Sequence, residues 1–240
     1  MKIILSLLLF MASCSAFSNN TFWRQTAKEI VSPVWGQQSS WYFWGSALMA
    51  SAIWLEDDNK SGDHGLLNYR KIAQDKALGD FSDIGEIYGK LVPNALFFVG
   101  AFSYSWWAKD QDFKNDAFLM LKSSVIAMSY TYVLKYIIQA KRPNGELYSF
   151  PSGHSTAAFA FASVIGARYP WYYSVPAYSL AVLAALSRLE AEEHHLQDVI
   201  MGAGIGIATG LGVYHSSYHT DKGSVKIIPT FNGFIVSAQF

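Results

Sequence analysis

Pro151-Ser152-Gly153-His154 opens an apolar, helix-compatible run from Ser155 to Ala167. A helix that starts there turns its unpaired amides and the positive end of its dipole toward Ser152 and Gly153, which makes an anion grip. Working outward, five further apolar segments have the same character: Trp41 to Leu55, Leu91 to Trp107, Ala117 to Ile138, Tyr173 to Leu186 and Val199 to Tyr214. The expected fold class is therefore all-α, a bundle of about six core helices. A charged, partly amphipathic stretch from Glu56 to Lys90, with helix-compatible pieces around Leu66 to Lys76 and Ile84 to Lys90, separates the first two segments and reads as a lid. At the C-terminus, Ser224 to Phe240 is rich in strand formers. Asn232-Gly233 there separates two apolar strand-like runs, so a short β-hairpin is expected.

The order of segments brings polar residues to one end. Lys135 lies in the last turn of the third segment and Arg142-Pro143 follows it, Ser152-Gly153-His154 opens the fourth, and the fourth and fifth form an antiparallel pair that returns to Ser187-Arg188. His194 and Asp198 follow in the connection from Ser187 to Asp198. The gathered inventory is three cations, two imidazoles, a carboxylate and a Ser-Gly turn. Fixed positive groups neutralise the charge that spreads over the equatorial oxygens of a phosphoryl group in transfer. Arg142 and Arg188 offer planar forks that match two phosphate oxygens, while Lys135 acts as a point charge. His194 and Asp198 lie four residues apart. On one helical face the carboxylate would accept from one ring nitrogen and leave the other as a nucleophile. His154 is the matching general acid for the leaving alcohol.

These stretches read K-x6-R-P, P-S-G-H and S-R-x5-H-x3-D, in order. That signature resembles the type 2 phosphatidic acid phosphatase superfamily, which also holds class A bacterial acid phosphatases and vanadium-dependent haloperoxidases. The resemblance covers Lys135 to about Gly212. It implies a helical bundle and cofactor-free, metal-free hydrolysis of phosphomonoesters or pyrophosphates through a phosphohistidine. The roles implied are catalysis by His194, His154 and Asp198 and phosphate binding by Lys135, Arg142, Ser152, Gly153 and Arg188. A zinc site built from His154, His194, His195 and Asp198 is disfavoured, because three cations aimed at the same pocket repel a metal. His195 is a weaker nucleophile candidate, since it breaks the Arg-x5-His spacing. Glu190, Glu192 and Glu193 crowd the loop with negative charge where many relatives carry small or apolar residues, which bears on the substrate.

Composition sets the surroundings. The 240 residues are 51% hydrophobic and 16% aromatic with zero formal net charge, which is apolar for a soluble domain and argues against a nucleic-acid partner. Aromatics such as Trp41, Trp44, Trp54, Trp106, Trp107, Trp171, Tyr172 and Tyr173 cluster at segment ends like an interfacial belt, which favours a membrane. Against this, most segments fall short of the ~20 apolar residues that span a bilayer. Met1-Lys2 followed by an apolar run to Ala12 and small residues reads as a secretory signal ending near Ala16, with Cys14 as a lipidation alternative. The expected organisation is a signal over 1–16, a helical catalytic domain over 17–220 and a hairpin tail over 221–240. The expected location is the cell envelope, with an extracytoplasmic site. The expected substrate is a lipid phosphate, with a small phosphoester, vanadate-dependent halide oxidation or plain anion binding as alternatives.

Overall fold

The computed structural model describes residues 21–59, 75–218, 224–230 and 233–239. Eight helices are present among them: α1 (Thr21–Trp35), α2 (Ser40–Asn59), α3 (Phe81–Gly89), α4 (Val92–Ala108), α5 (Gln111–Ile138), α6 (Gly153–Arg168), α7 (Trp171–Glu190) and α8 (Leu196–Tyr218). Strands β1 (Ser224–Thr230) and β2 (Gly233–Gln239) pair antiparallel, Ser224 opposite Gln239 and Thr230 opposite Gly233. The expected signal segment and residue 232 of the expected turn lie outside the described residues.

The expected six helices are α2 and α4 to α8; α3 falls on the helix-compatible piece expected around Ile84 to Lys90, and α1 corrects the count. Helix α1 escaped notice because Pro33 lies inside it and its face is not continuously apolar. Helix α3 came from the charged Glu56–Lys90 stretch, of which residues 60–74 lie outside the described residues. It packs on α7, where the Tyr88 hydroxyl donates to the Ala177 carbonyl at 3.2 Å. Its last residue, Gly89, lies so close to His154 that an added Cβ would stand 2.9 Å from the histidine Cβ.

Helix α6 is central, and its composition explains why. Ala157, Ala158, Ala160, Ala162, Ser155, Thr156 and Ser163 are all buried, and small side chains on every face admit neighbours on every face. Helices α5, α7 and α8 surround it. From α8, Gly202, Gly206 and Gly210 form a stripe against α6; a Cβ at Gly206 would meet the Thr156 carbonyl oxygen at 2.6 Å. Between α5 and α6, Thr131 Oγ1 donates to Thr156 Oγ1 at 2.9 Å. Asn94 of α4 reaches Ser124 Oγ at 2.9 Å and the Ala157 carbonyl at 3.3 Å.

A polar knot closes the end of the bundle opposite the motifs. Asp116, 4% exposed, accepts from Arg168 Nε at 2.5 Å and from the Tyr169 hydroxyl at 2.8 Å, while Arg168 stacks 4.6 Å over the Tyr218 ring. These residues tie α5, α6 and α8 together. Asp116→Ala leaves a half-buried guanidinium and two phenols without their acceptor, so it should lower stability by about 3 kcal/mol. A thermal-unfolding comparison in detergent checks this, and an unchanged midpoint would refute it.

Candidate active site

Each motif is held by a helix end. Helix α5 extends further toward its N-terminus than expected because Asp110 caps it, accepting from Asp112 N at 2.9 Å and Phe113 N at 3.3 Å. At the other end Gln139 adopts left-handed φ of 50° and its N–H donates to the Lys135 carbonyl, which stops the helix just after Lys135. The loop that follows folds on itself. Arg142 N donates to the Glu146 carbonyl at 2.7 Å, Ser149 N donates to the Ala140 carbonyl at 2.9 Å, and Gly145 turns the chain with φ of 90°. Arg142 is thereby presented on a compact turn. Lys135 Nζ donates to the carbonyls of Tyr148 at 2.6 Å and Ser149 at 3.2 Å, which pins the same loop to α5.

Ser152 is fully buried and serves as the N-cap of α6, its Oγ accepting from Ser155 N at 3.4 Å. Its own N–H donates to the Asp198 carbonyl at 2.9 Å. Of the expected Ser-Gly grip, Gly153 lines the cleft, while the Ser152 side chain orients the helix end. Arg188 is corrected in setting. It belongs to the last turn of α7 rather than to a loop, is 4% exposed, and lies 3.4 Å from Glu86 and 4.0 Å from Glu193.

His194 and Asp198 do not share a helix face as expected, because α8 starts at Leu196 and His194 sits in the bend before it. Asp198 closes that bend. Its Oδ2 accepts from the His195 backbone N–H at 2.8 Å and from the Ser149 hydroxyl, and lies 3.5 Å from His194 Nδ1. His194 is 3% exposed. Burial, the largest influence, pushes its pKa below the ordinary imidazole value against the opposing pull of Asp198. His195 turns elsewhere, its Nε2 lying 3.2 Å from the Lys141 carbonyl.

A cleft of about 440 Å³ joins these groups. Lys135, Arg142, Gly153, His154, Glu193 and His194 line it, with Tyr132, Tyr136 and Tyr148 on its lip. Among the described residues, the buried Arg142 Nε and His154 Nε2 have no hydrogen-bond partner. Burial and then the charge of Arg188 push His154 down to about 4, so its imidazole is neutral at pH 7. A buried donor or acceptor with no partner is costly, and an anion in the cleft would supply one. Seven of the eight motif residues thus either line the cleft or bond directly to a group that does; Ser152 acts through its backbone and cap. Sequence reasoning missed Ser149, Glu86 and the three tyrosines. Ser149 directly precedes the Phe150-Pro151-Ser152-Gly153-His154 motif and was legible as a polar neighbour, whereas Glu86 arrives from a distant segment with no spacing to betray it.

An apolar groove of about 420 Å³ adjoins the cleft between α4 and α5, sharing Leu91, Met128 and Tyr132 with it. Its other walls include Phe98, Val99, Leu121 and Val125. Helices α5 and α8 are long and apolar enough to cross a membrane.

Comparison with known proteins agrees with the motifs. The family model described as PAP2 superfamily matches residues 116–221. A lipid A 1-phosphatase of Porphyromonas gingivalis is 41% identical over 81 residues, covering 32% of this chain and 18% of the relative. A lipid A 4'-phosphatase of Helicobacter pylori is 37% identical over 84 residues, covering 35% of this chain and 41% of the relative. The chain therefore spans under a fifth of the first relative's length and about two fifths of the second's. The crystal structure of a transmembrane PAP2-type phosphatidylglycerolphosphate phosphatase from Bacillus subtilis superposes with a TM-score of 0.48 at 19% identity, covering 91% of this chain and 97% of that one. Motif spacing and the matched family model fall on the same helices, and over residues 116–221 the chain is similar to the PAP2 superfamily.

Proposed function

We propose that this protein is a phosphatase that removes phosphate from a membrane lipid through a phosphohistidine at His194. The observation that carries this reading is the adjoining pair of cavities: a cationic cleft holding two imidazoles opens onto an apolar groove between α4 and α5. The cleft suits a phosphoryl group and the groove suits an alkyl chain. The names of the two curated relatives support a phosphorylated glycolipid of the lipid A kind as the substrate class. Exposed aromatic and aliphatic side chains on the bundle, such as Trp106, Trp107 and Trp171, support membrane association.

In the proposed reaction, Asp198 holds the Nδ1 side of His194, and Nε2 attacks phosphorus. The bond from phosphorus to the leaving oxygen breaks, and His154, neutral in the empty cleft and protonated when the phosphate dianion is bound beside it, gives that oxygen its proton. Lys135, Arg142 and Arg188 stabilise the charge on the equatorial oxygens, helped by the amides at the start of α6. Water then attacks the phosphohistidine, yields its proton to His154 and releases inorganic phosphate and the neutral imidazole. Side chains supply every role, so activity should survive chelation of divalent metals.

The substrate class is tested by a ratio. Val125→Asp places a charge in the exposed wall of the groove, away from the reacting groups. It should lower kcat/KM for a lipid phosphate in mixed micelles about tenfold more than kcat/KM for a small chromogenic phosphate ester. Equal effects on both substrates would remove the groove from lipid recognition. A wild type that cleaves the small ester as well as the lipid would favour a broad-specificity phosphatase instead.

A further inference from the structure

Two of the three motif cations are already engaged by carboxylates. Glu193 Oε2 lies 2.8 Å from Arg142 Nη1 and 4.0 Å from Arg188 Nη1. Glu146 approaches Arg142 at 3.4 Å, and Glu86 approaches Arg188 at 3.4 Å from α3. Glu193 differs from the other two, because its one oxygen faces guanidinium groups from two separate elements, the loop after α5 and the end of α7. It also lines the cleft beside His154 and His194. A carboxylate oxygen and a phosphate oxygen are alternative acceptors for the same guanidinium fork. A phosphoryl group gripped by both arginines must therefore take the place of this carboxylate.

The local backbone permits that exchange. Glu193 sits in the bend between α7 and α8, its N–H tied to the Arg188 carbonyl at 3.1 Å. The preceding Glu192 reverses the chain at a left-handed φ of 53°. The Glu193 side chain is 35% exposed, so it can leave the arginines for water without a buried charge being stranded. Resting on the reading of the cleft as a phosphate site, we propose that Glu193 is an internal competitor of the phosphoryl group. It keeps Arg142 and Arg188 charge-balanced, yields to the incoming phosphate, and returns to displace the inorganic phosphate product. A phosphate with two negative charges and three acceptor oxygens outcompetes one carboxylate, whereas a weakly charged diester headgroup does not. Glu193 in this way also discriminates against phosphodiesters.

Isothermal titration of inorganic phosphate into the full-length protein in detergent tests this directly. Glu193→Gln keeps the shape and removes the competing charge. It should bind phosphate about tenfold more tightly than wild type, with a matching fall in KM for the lipid substrate and a kcat that falls as product leaves more slowly. Glu193→Asp keeps the charge and should stay within about threefold of wild type. Glu192→Gln removes the same charge one residue away and should change phosphate affinity by less than about twofold. Equal or weaker phosphate binding by Glu193→Gln would overturn the proposal and make Glu193 a structural brace, as would equal tightening by Glu192→Gln. Binding by the wild type without tightening in the variant sinks the competitor alone. Absence of phosphate binding in wild type and variant alike would remove the phosphate site with it.

Discussion

His194→Ala is expected to lower kcat by about ten-thousand-fold while leaving the folded protein intact. The proposed nucleophile has no understudy. His195 is adjacent in sequence, but its ring lies against the Lys141 carbonyl, and its backbone N–H is spent on Asp198. His154 cannot substitute either, since the leaving group needs it as an acid. What survives the substitution is the clamp of Lys135, Arg142 and Arg188, which would still bind phosphate, so KM should change far less than kcat. A steady-state comparison on a lipid phosphate, with circular dichroism to check the fold, measures both. Retention of more than a tenth of wild-type kcat would transfer the nucleophilic role elsewhere.

Arg188→Ala is expected to lower kcat/KM by about a thousand-fold, the largest effect among the three motif cations. Its guanidinium is 4% exposed in the last turn of α7, so its position is set by a helix rather than by a flexible loop. Removing it deletes a preorganised donor. It also leaves the Glu86 and Glu193 carboxylates, 3.4 and 4.0 Å from its nitrogens, facing an approaching phosphate. Arg188→Lys should recover little of this, because an ammonium cannot offer the planar fork. By contrast, Lys135 already donates to two carbonyls, and its loss should cost less in turnover and more in loop order. Equal effects of Arg188→Ala and Lys135→Ala on kcat/KM would count against this ranking.

Much of the site was legible because helix ends are legible. Lys135 closes an apolar run, Gly153 opens one, and Arg188 ends a third. Antiparallel packing of successive helices then brings those ends together without knowledge of any contact. Spacing was less informative where a helix had already begun or ended. Ser187 and Arg188 lie within α7 rather than in the following loop, and the His194 to Asp198 interval crosses a helix start rather than running along one face. The four-residue spacing pointed to the right partner for a reason other than the one assumed: Asp198 accepts from the His195 amide in the manner of a bend closure, which brings Nδ1 of His194 to 3.5 Å. Glu86 was not legible, because its place beside Arg188 depends on a short helix docking onto α7. Glu193 was visible as excess negative charge, but its place between two arginines is a product of tertiary structure.

In the proposed reaction phosphorus passes through the imidazole at position 194. Rapid acid-free quenching of wild-type protein mixed with a 32P-labelled lipid phosphate, followed by peptide mapping, measures this directly. Label should appear on the peptide containing His194, stable to base and lost in acid, and be absent from His194→Ala. Label on any other residue, or turnover with no labelled protein at a time resolution shorter than one catalytic cycle, would contradict it.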